Sequence, residues 1–243
     1  MKGLLPLLLA FVLSACGTDT YTIAAHGKLD GGTISLTNVT GKIEAFPPAS
    51  GEPKDEYTVS AASKRALMQT KMSLDANSKT LALCPIACPP PPDAPSVSYL
   101  VRIPQGVHAE FTLATGDIDV SDVNAPVDAR ATNGDIKIQI PSYANASTRT
   151  GNVSVTFGDA NWPGTLHFST QRGDVVLYVP ALAHARVDLH TDHGTIFTDF
   201  DLRGTSLGTA EKIVGDIGGG GNRTLEVRVG SGNIRVLKLV PQM

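Results

Sequence analysis

In this 243-residue chain, the side chains best suited to chemistry fall at recurring places. Asp117, Asp135 and Asp174 each follow a glycine (Gly116, Gly134, Gly173), and Gly151 and Gly232 are followed by Asn152 and Asn233. Acid–base work on a sugar needs two carboxylates at a set separation in a cleft. A carboxylate that recurs, and is exchanged for an amide, fits a turn better, because Asp and Asn both bond nearby backbone groups. His167, His190 and His193, with Asp188 and Asp192 close by, invite a metal site. Alternation puts His167 and His190 in different outward columns, so a solvated face is expected. The Gly-Gly-x-Gly-x-Asp nonapeptide of calcium-binding rolls is absent. So are a phosphate loop, a nucleophile elbow, Ser-x-x-Lys and His-Glu-x-x-His. No catalytic residue, metal set or cofactor site is therefore expected.

The elements that carry these residues repeat. Thr-Gly-Asp-Ile-Asp-Val begins at 115, Asn-Gly-Asp-Ile-Lys-Ile at 133 and Thr-Gly-Asn-Val-Ser-Val at 150. Arg-Gly-Asp-Val-Val-Leu follows at 172, His-Gly-Thr-Ile-Phe-Thr at 193 and Ser-Gly-Asn-Ile-Arg-Val at 231. Gly215, in Val-Gly-Asp-Ile, reads as a degenerate copy between Gly194 and Gly232. Before each turn glycine, apolar and polar residues alternate, as in Ala109, Phe111, Leu113 around Glu110. Two positions after it stand Ile118, Ile136, Val153, Val175, Ile196 and Ile234. This predicts a unit of strand, glycine turn, strand and longer return, with one face buried on each strand.

Units of about twenty residues are too small to bury their own apolar face and are stabilised by stacking. The expected fold is all-β: a parallel β-helix, or solenoid, of roughly seven or more coils, with an antiparallel β-sandwich as the alternative. Leu29–Leu36 and Thr40–Glu44 look like two early coils, and Ser63–Leu74 is either helical or an edge strand. Lone Trp162 reads as a turn residue over a coil edge. Arg172-Gly173-Asp174 matches a cell-adhesion tripeptide, but its place in the repeat accounts for the glycine and the aspartate.

Residues 1–15 read as a signal peptide, with Lys2 before the apolar run Leu4–Leu13, which is too short to span a bilayer. Leu13-Ser14-Ala15-Cys16 resembles the bacterial lipobox, and that resemblance implies lipidation of Cys16 and a short tether over 16–20, while Gly17, in place of aspartate, favours the outer membrane under enteric-type sorting. Without Lys2 the chain keeps 19 basic against 23 acidic residues, a formal charge of −4, which gives no reason to expect a nucleic-acid partner. Residues 21–240 form a single expected domain, interrupted by a Pro/Cys-rich surface loop at 84–95. Cys84 and Cys88, four apart in an exported chain, are expected to form a disulfide rather than hold a metal.

Several features together suggest a relative. They are the Leu-x(n)-Gly-x-Ile segment, Val97–Pro104, the Gly-Asp-Ile units, and the close over Gly215–Gly221 and Thr224–Val236. The pattern resembles the bacterial "putative adhesin" family of β-strand-repeat envelope proteins. The resemblance implies a β-helical fold and a surface role, with no catalytic residues to carry over. The expected function is non-enzymatic adhesion or scaffolding, with envelope proteins or glycans as partners. The alternative is a glycan-binding protein or polysaccharide-active enzyme built on a β-helix.

Overall fold

A computed structural model describes residues 10–11, 21–63, 70–75, 79–85, 87–202 and 204–239, and among these no helix occurs. Cys16 and most of the expected signal peptide lie outside the described residues. Each repeat places one strand in each of two facing sheets, with the glycine turn between them. Val127–Asn133 runs into Gly134 and then Ile136–Ile140, and Ala144–Thr150 runs into Gly151 and then Val153–Phe157. Neighbouring coils pair in parallel, so the antiparallel sandwich is not the fold.

The register is the one that the alternation predicts. Ile118 pairs with Ile136, Ile136 with Val153, Val153 with Val175, Val175 with Ile234 and Ile234 with Ile196. All but Ile196 are buried, and Ile196 is half-covered because its coil ends the stack. Lys137 and Arg235, one position on, are exposed. Phe111, Phe168 and Phe157 thicken the core from both sheets.

The order of the stack departs from the order of the chain. The second sheet runs 80–85, 33–40, 108–115, 127–133, 144–150, 165–172, 224–231, 185–193. The early coil 33–46 is thus inserted between strands 80–85 and 108–115, and the coil 224–239 between 165–180 and 185–198. Leu29–Leu36 and Thr40–Glu44 form one coil around Gly41, not two. Gly215 is not a turn. It sits within Ala210–Ile217, antiparallel to Ala185–His193, opposite Val187.

Antiparallel strands close the ends. Thr70–Asp75 flanks Thr80–Pro85, which makes part of the ambiguous Ser63–Leu74 segment an edge strand, and Tyr21–Lys28 with Glu56–Ser63 extends the first sheet. Trp162 is not a rim residue. It is fully buried, edge-on to Phe157 with ring centroids 5.5 Å apart, and its indole N–H donates to the Thr224 carbonyl at 3.3 Å.

Candidate functional site: the turn spine and the outer face of the second sheet

The turn residues named by the sequence come together as a spine. Gly116, Gly134, Gly151, Gly173, Gly232 and Gly194 stack with φ between +126° and +156°, and Gly41 joins them. A Cβ on Gly151 would lie 2.1 Å from the Gly134 carbonyl oxygen, so no side chain fits between coils. Asp117 Oδ1 accepts the Asp135 N–H at 2.9 Å, Asp135 Oδ1 the Asn152 N–H at 2.7 Å, and Asn152 Oδ1 the Asp174 N–H at 2.9 Å. Asp174 Oδ1 continues to the Asn233 N–H at 2.7 Å, and Asn233 Oδ1 to the Thr195 N–H at 3.1 Å. Each acid or amide bonds the next coil rather than its own turn. Either residue type serves, because only one acceptor oxygen is used.

Inside the turn, Thr170 Oγ1 donates to the Gly151 carbonyl at 2.9 Å, and Thr191 Oγ1 to that of Gly232 at 2.8 Å. In the early coil, Asn38 Nδ2 does the same for the Val97 carbonyl at 2.8 Å. Cys84 and Cys88 are joined by a disulfide with Cα atoms 5.4 Å apart, in the loop that stands where other coils have the glycine turn. Asp174 is held in the spine and Arg172 Nη2 reaches the Thr150 hydroxyl at 3.3 Å, so the adhesion-like tripeptide is a turn fixed on both sides.

The outer face of the second sheet carries the chemistry. One column holds Glu110, Asp128, Asn145, His167, Glu226 and Asp188, and its neighbour Arg130, Ser147, Ser169, Arg228 and His190. Arg228 grips Asp188 with two bonds, Nη1 to Oδ1 at 2.9 Å and Nη2 to Oδ2 at 3.0 Å, and meets Glu226 at 3.1 Å. This guanidinium holds the Asp188 carboxyl below the usual aspartate value. His167 pairs with Glu226 at 3.2 Å, His190 with Asp192 at 2.9 Å, and His193 turns to the Gly230 carbonyl. The three histidines considered together in the sequence thus take separate partners. A shallow groove of about 520 Å³ crosses this face past Arg130, Arg149, Gln171, His190 and Arg228.

A second cluster escaped the sequence reading. His108 Nε2 lies 2.8 Å from Asp128 Oδ2, and Glu110, on the same face of His108's strand, stands beside Asp128 in register. The Asp128 carboxylate raises the His108 imidazole above its ordinary value, and His108, then Asn145, hold Asp128 below its own. The signal was present: Glu110 and Asp128 both stand six residues before a turn glycine.

The Toastrack DUF4097 family profile matches residues 28–237. The chain belongs to the Toastrack DUF4097 family. Among solved structures, it is similar to a "putative cell adhesion protein" from Clostridium sporogenes, at 11% identity and TM-score 0.50 over 90% of this chain and 100% of that one. It is also similar to a "putative adhesin" from Bacteroides fragilis, at 12% identity and TM-score 0.41 over 88% and 96%. At such identity the first of these supports the fold alone. No curated protein matches the chain.

Proposed function

We propose that this Toastrack protein is a lipid-anchored component of the bacterial envelope with a non-enzymatic role in adhesion or scaffolding. The observation that carries the reading is the outer face of the second sheet. Parallel pairing holds its polar side chains in fixed columns across successive coils, which suits recognition of an extended partner. Several of the acidic residues that a glycan-cleaving enzyme could draw on are otherwise engaged: the recurring aspartates bond the spine, and Asp188 is clamped by Arg228. A solved structure of similar fold bears an adhesion name, and that name is consistent with the proposal.

Two measurements test it. Binding of the purified protein to arrays of glycans and envelope proteins should be saturable and should fall when Arg130 and Arg149 are both changed to Glu, since these line the groove. It should persist in Arg172→Ala. Cleavage of a glycan without retained binding would replace the reading with the enzymatic one. For the anchor, Cys16→Ser should abolish partition into detergent phase. Unchanged partition would remove the lipid.

A further inference from the structure

We propose that His108, Glu110 and Asp128 form a surface site for a divalent transition metal ion, of which Zn²⁺ is the appropriate probe. Each residue offers one ligand atom, and the three atoms lie within 4.8 Å of one another. His108 and Glu110 are two apart on one strand and therefore share its outer face, while Asp128 lies opposite Glu110 on the next coil. The bridge is rigid because both strands belong to the continuous parallel sheet.

The site also has a support. Asn145, one coil further, donates Nδ2–H to Asp128 Oδ1 at 2.7 Å, and its own Oδ1 accepts the His167 N–H at 2.8 Å. That backbone bond fixes which end of the amide faces the carboxylate. Asp128 is thereby oriented with Oδ2 turned toward His108. An outer residue that aims a ligand carboxylate is characteristic of metal sites and is not needed for a plain ion pair.

The ligand set selects among ions. One imidazole nitrogen with two carboxylates suits zinc and its neighbours, whereas calcium takes six to eight oxygens. Tetrahedral bonds of about 2.0–2.2 Å put ligand atoms roughly 3.3–3.6 Å apart. The His108–Asp128 contact of 2.8 Å must therefore open slightly, and the Glu110 carboxylate must swing in by side-chain rotation. Glu110 is exposed and His108 and Asp128 are half-buried, so the fourth position faces solvent and takes water.

The test titrates Zn²⁺ alone into metal-stripped full-length protein by calorimetry, with Co²⁺ substitution read from its visible spectrum. One equivalent should bind. His108→Gln and Asp128→Asn should each weaken binding at least about 100-fold, and Asn145→Ala about 10- to 100-fold. His190→Gln, which removes the other close His–Asp pair, should leave affinity unchanged. Glu110→Gln is the safeguard, since this exposed change leaves the fold intact and should still weaken binding and alter the Co²⁺ spectrum. No binding at about 1 mM Zn²⁺, the weak end of specific affinity, would overturn the site. So would equal affinity in folded His108→Gln and Glu110→Gln.

Discussion

Replacing Gly134 by alanine isolates what holds adjacent coils at their spacing. Its φ of +141° is a conformation that side chains rarely adopt, and holding alanine there costs about 1–3 kcal/mol. The added Cβ would also stand 1.9 Å from the Gly116 oxygen and 2.5 Å from its carbon, where ordinary contact begins near 3.4 Å. The coils must part by more than 1 Å locally, roughly the difference between those distances. Three bonds cross that seam: Gly116 N–H to Asn133 O at 2.8 Å, Ile118 N–H to Asp135 O at 3.0 Å, and Asp135 N–H to Asp117 Oδ1 at 2.9 Å. Each is worth about 0.5–1.5 kcal/mol, so the whole loss should be about 3–7 kcal/mol. Gly164, at φ +65° with open space where its Cβ would lie, supplies the control, and alanine there should cost about 1–2 kcal/mol. Urea unfolding followed by the fluorescence of buried Trp162 reads both. If Gly134→Ala proved no more destabilising than Gly164→Ala, crowding between coils would not be what selects glycine.

Ile136→Ala should cost about 2–5 kcal/mol as a core truncation, while exposed Lys137→Ala stays near neutral, and the same urea midpoints separate them. Thr170→Val keeps the volume but removes the donor to the Gly151 carbonyl, and should cost about 1–2 kcal/mol, with Thr170→Ser recovering part. Asp188 has a folded pKa depressed by Arg228, so its contribution is present above the ordinary aspartate value and is lost as pH falls through the folded one. Asp188→Asn should therefore lower the midpoint at pH 7 and converge with the parent below about pH 4; a constant difference down to pH 2 would refute the assignment.

The columns were legible because stacking forces a period. Alternation before each glycine and a β-branched residue two after it named the core at Ile118, Ile136, Val153, Val175 and Ile234. The order of the stack was not legible, since coils that share one register are interchangeable partners and nothing in Ser231–Val236 says which neighbour it takes. Gly215 misled because Val-Gly-Asp-Ile copies the turn's composition within a strand. Trp162 was misplaced because Asn-Trp-Pro-Gly is turn chemistry, whereas the cavity that the indole fills is set by Phe157 and by Thr224, sixty-two residues away. His108 is not legible as a ligand because the histidines that the repeat brings into view are those of the later coils, and the partners of His108 come from its own strand and from the next coil.

The inserted coil 224–239 changes how the molecule must open. In a plain stack the last coil of the chain is also the outermost, so fraying begins with a tail that gains the full freedom of a free end. Here the last coil of the stack, 185–198, with the antiparallel strands 204–207 and 210–217 beyond it in the second sheet, belongs to a segment whose two ends are clamped, by the strand ending at Pro180 on one side and the strand beginning at Thr224 on the other. When that layer detaches it does so as a closed loop, and a tethered loop recovers less entropy than a tail of equal length. The strands of 224–239, meanwhile, are hydrogen-bonded on both sides. Peeling from that end of the stack is thus opposed by connectivity as well as by contacts.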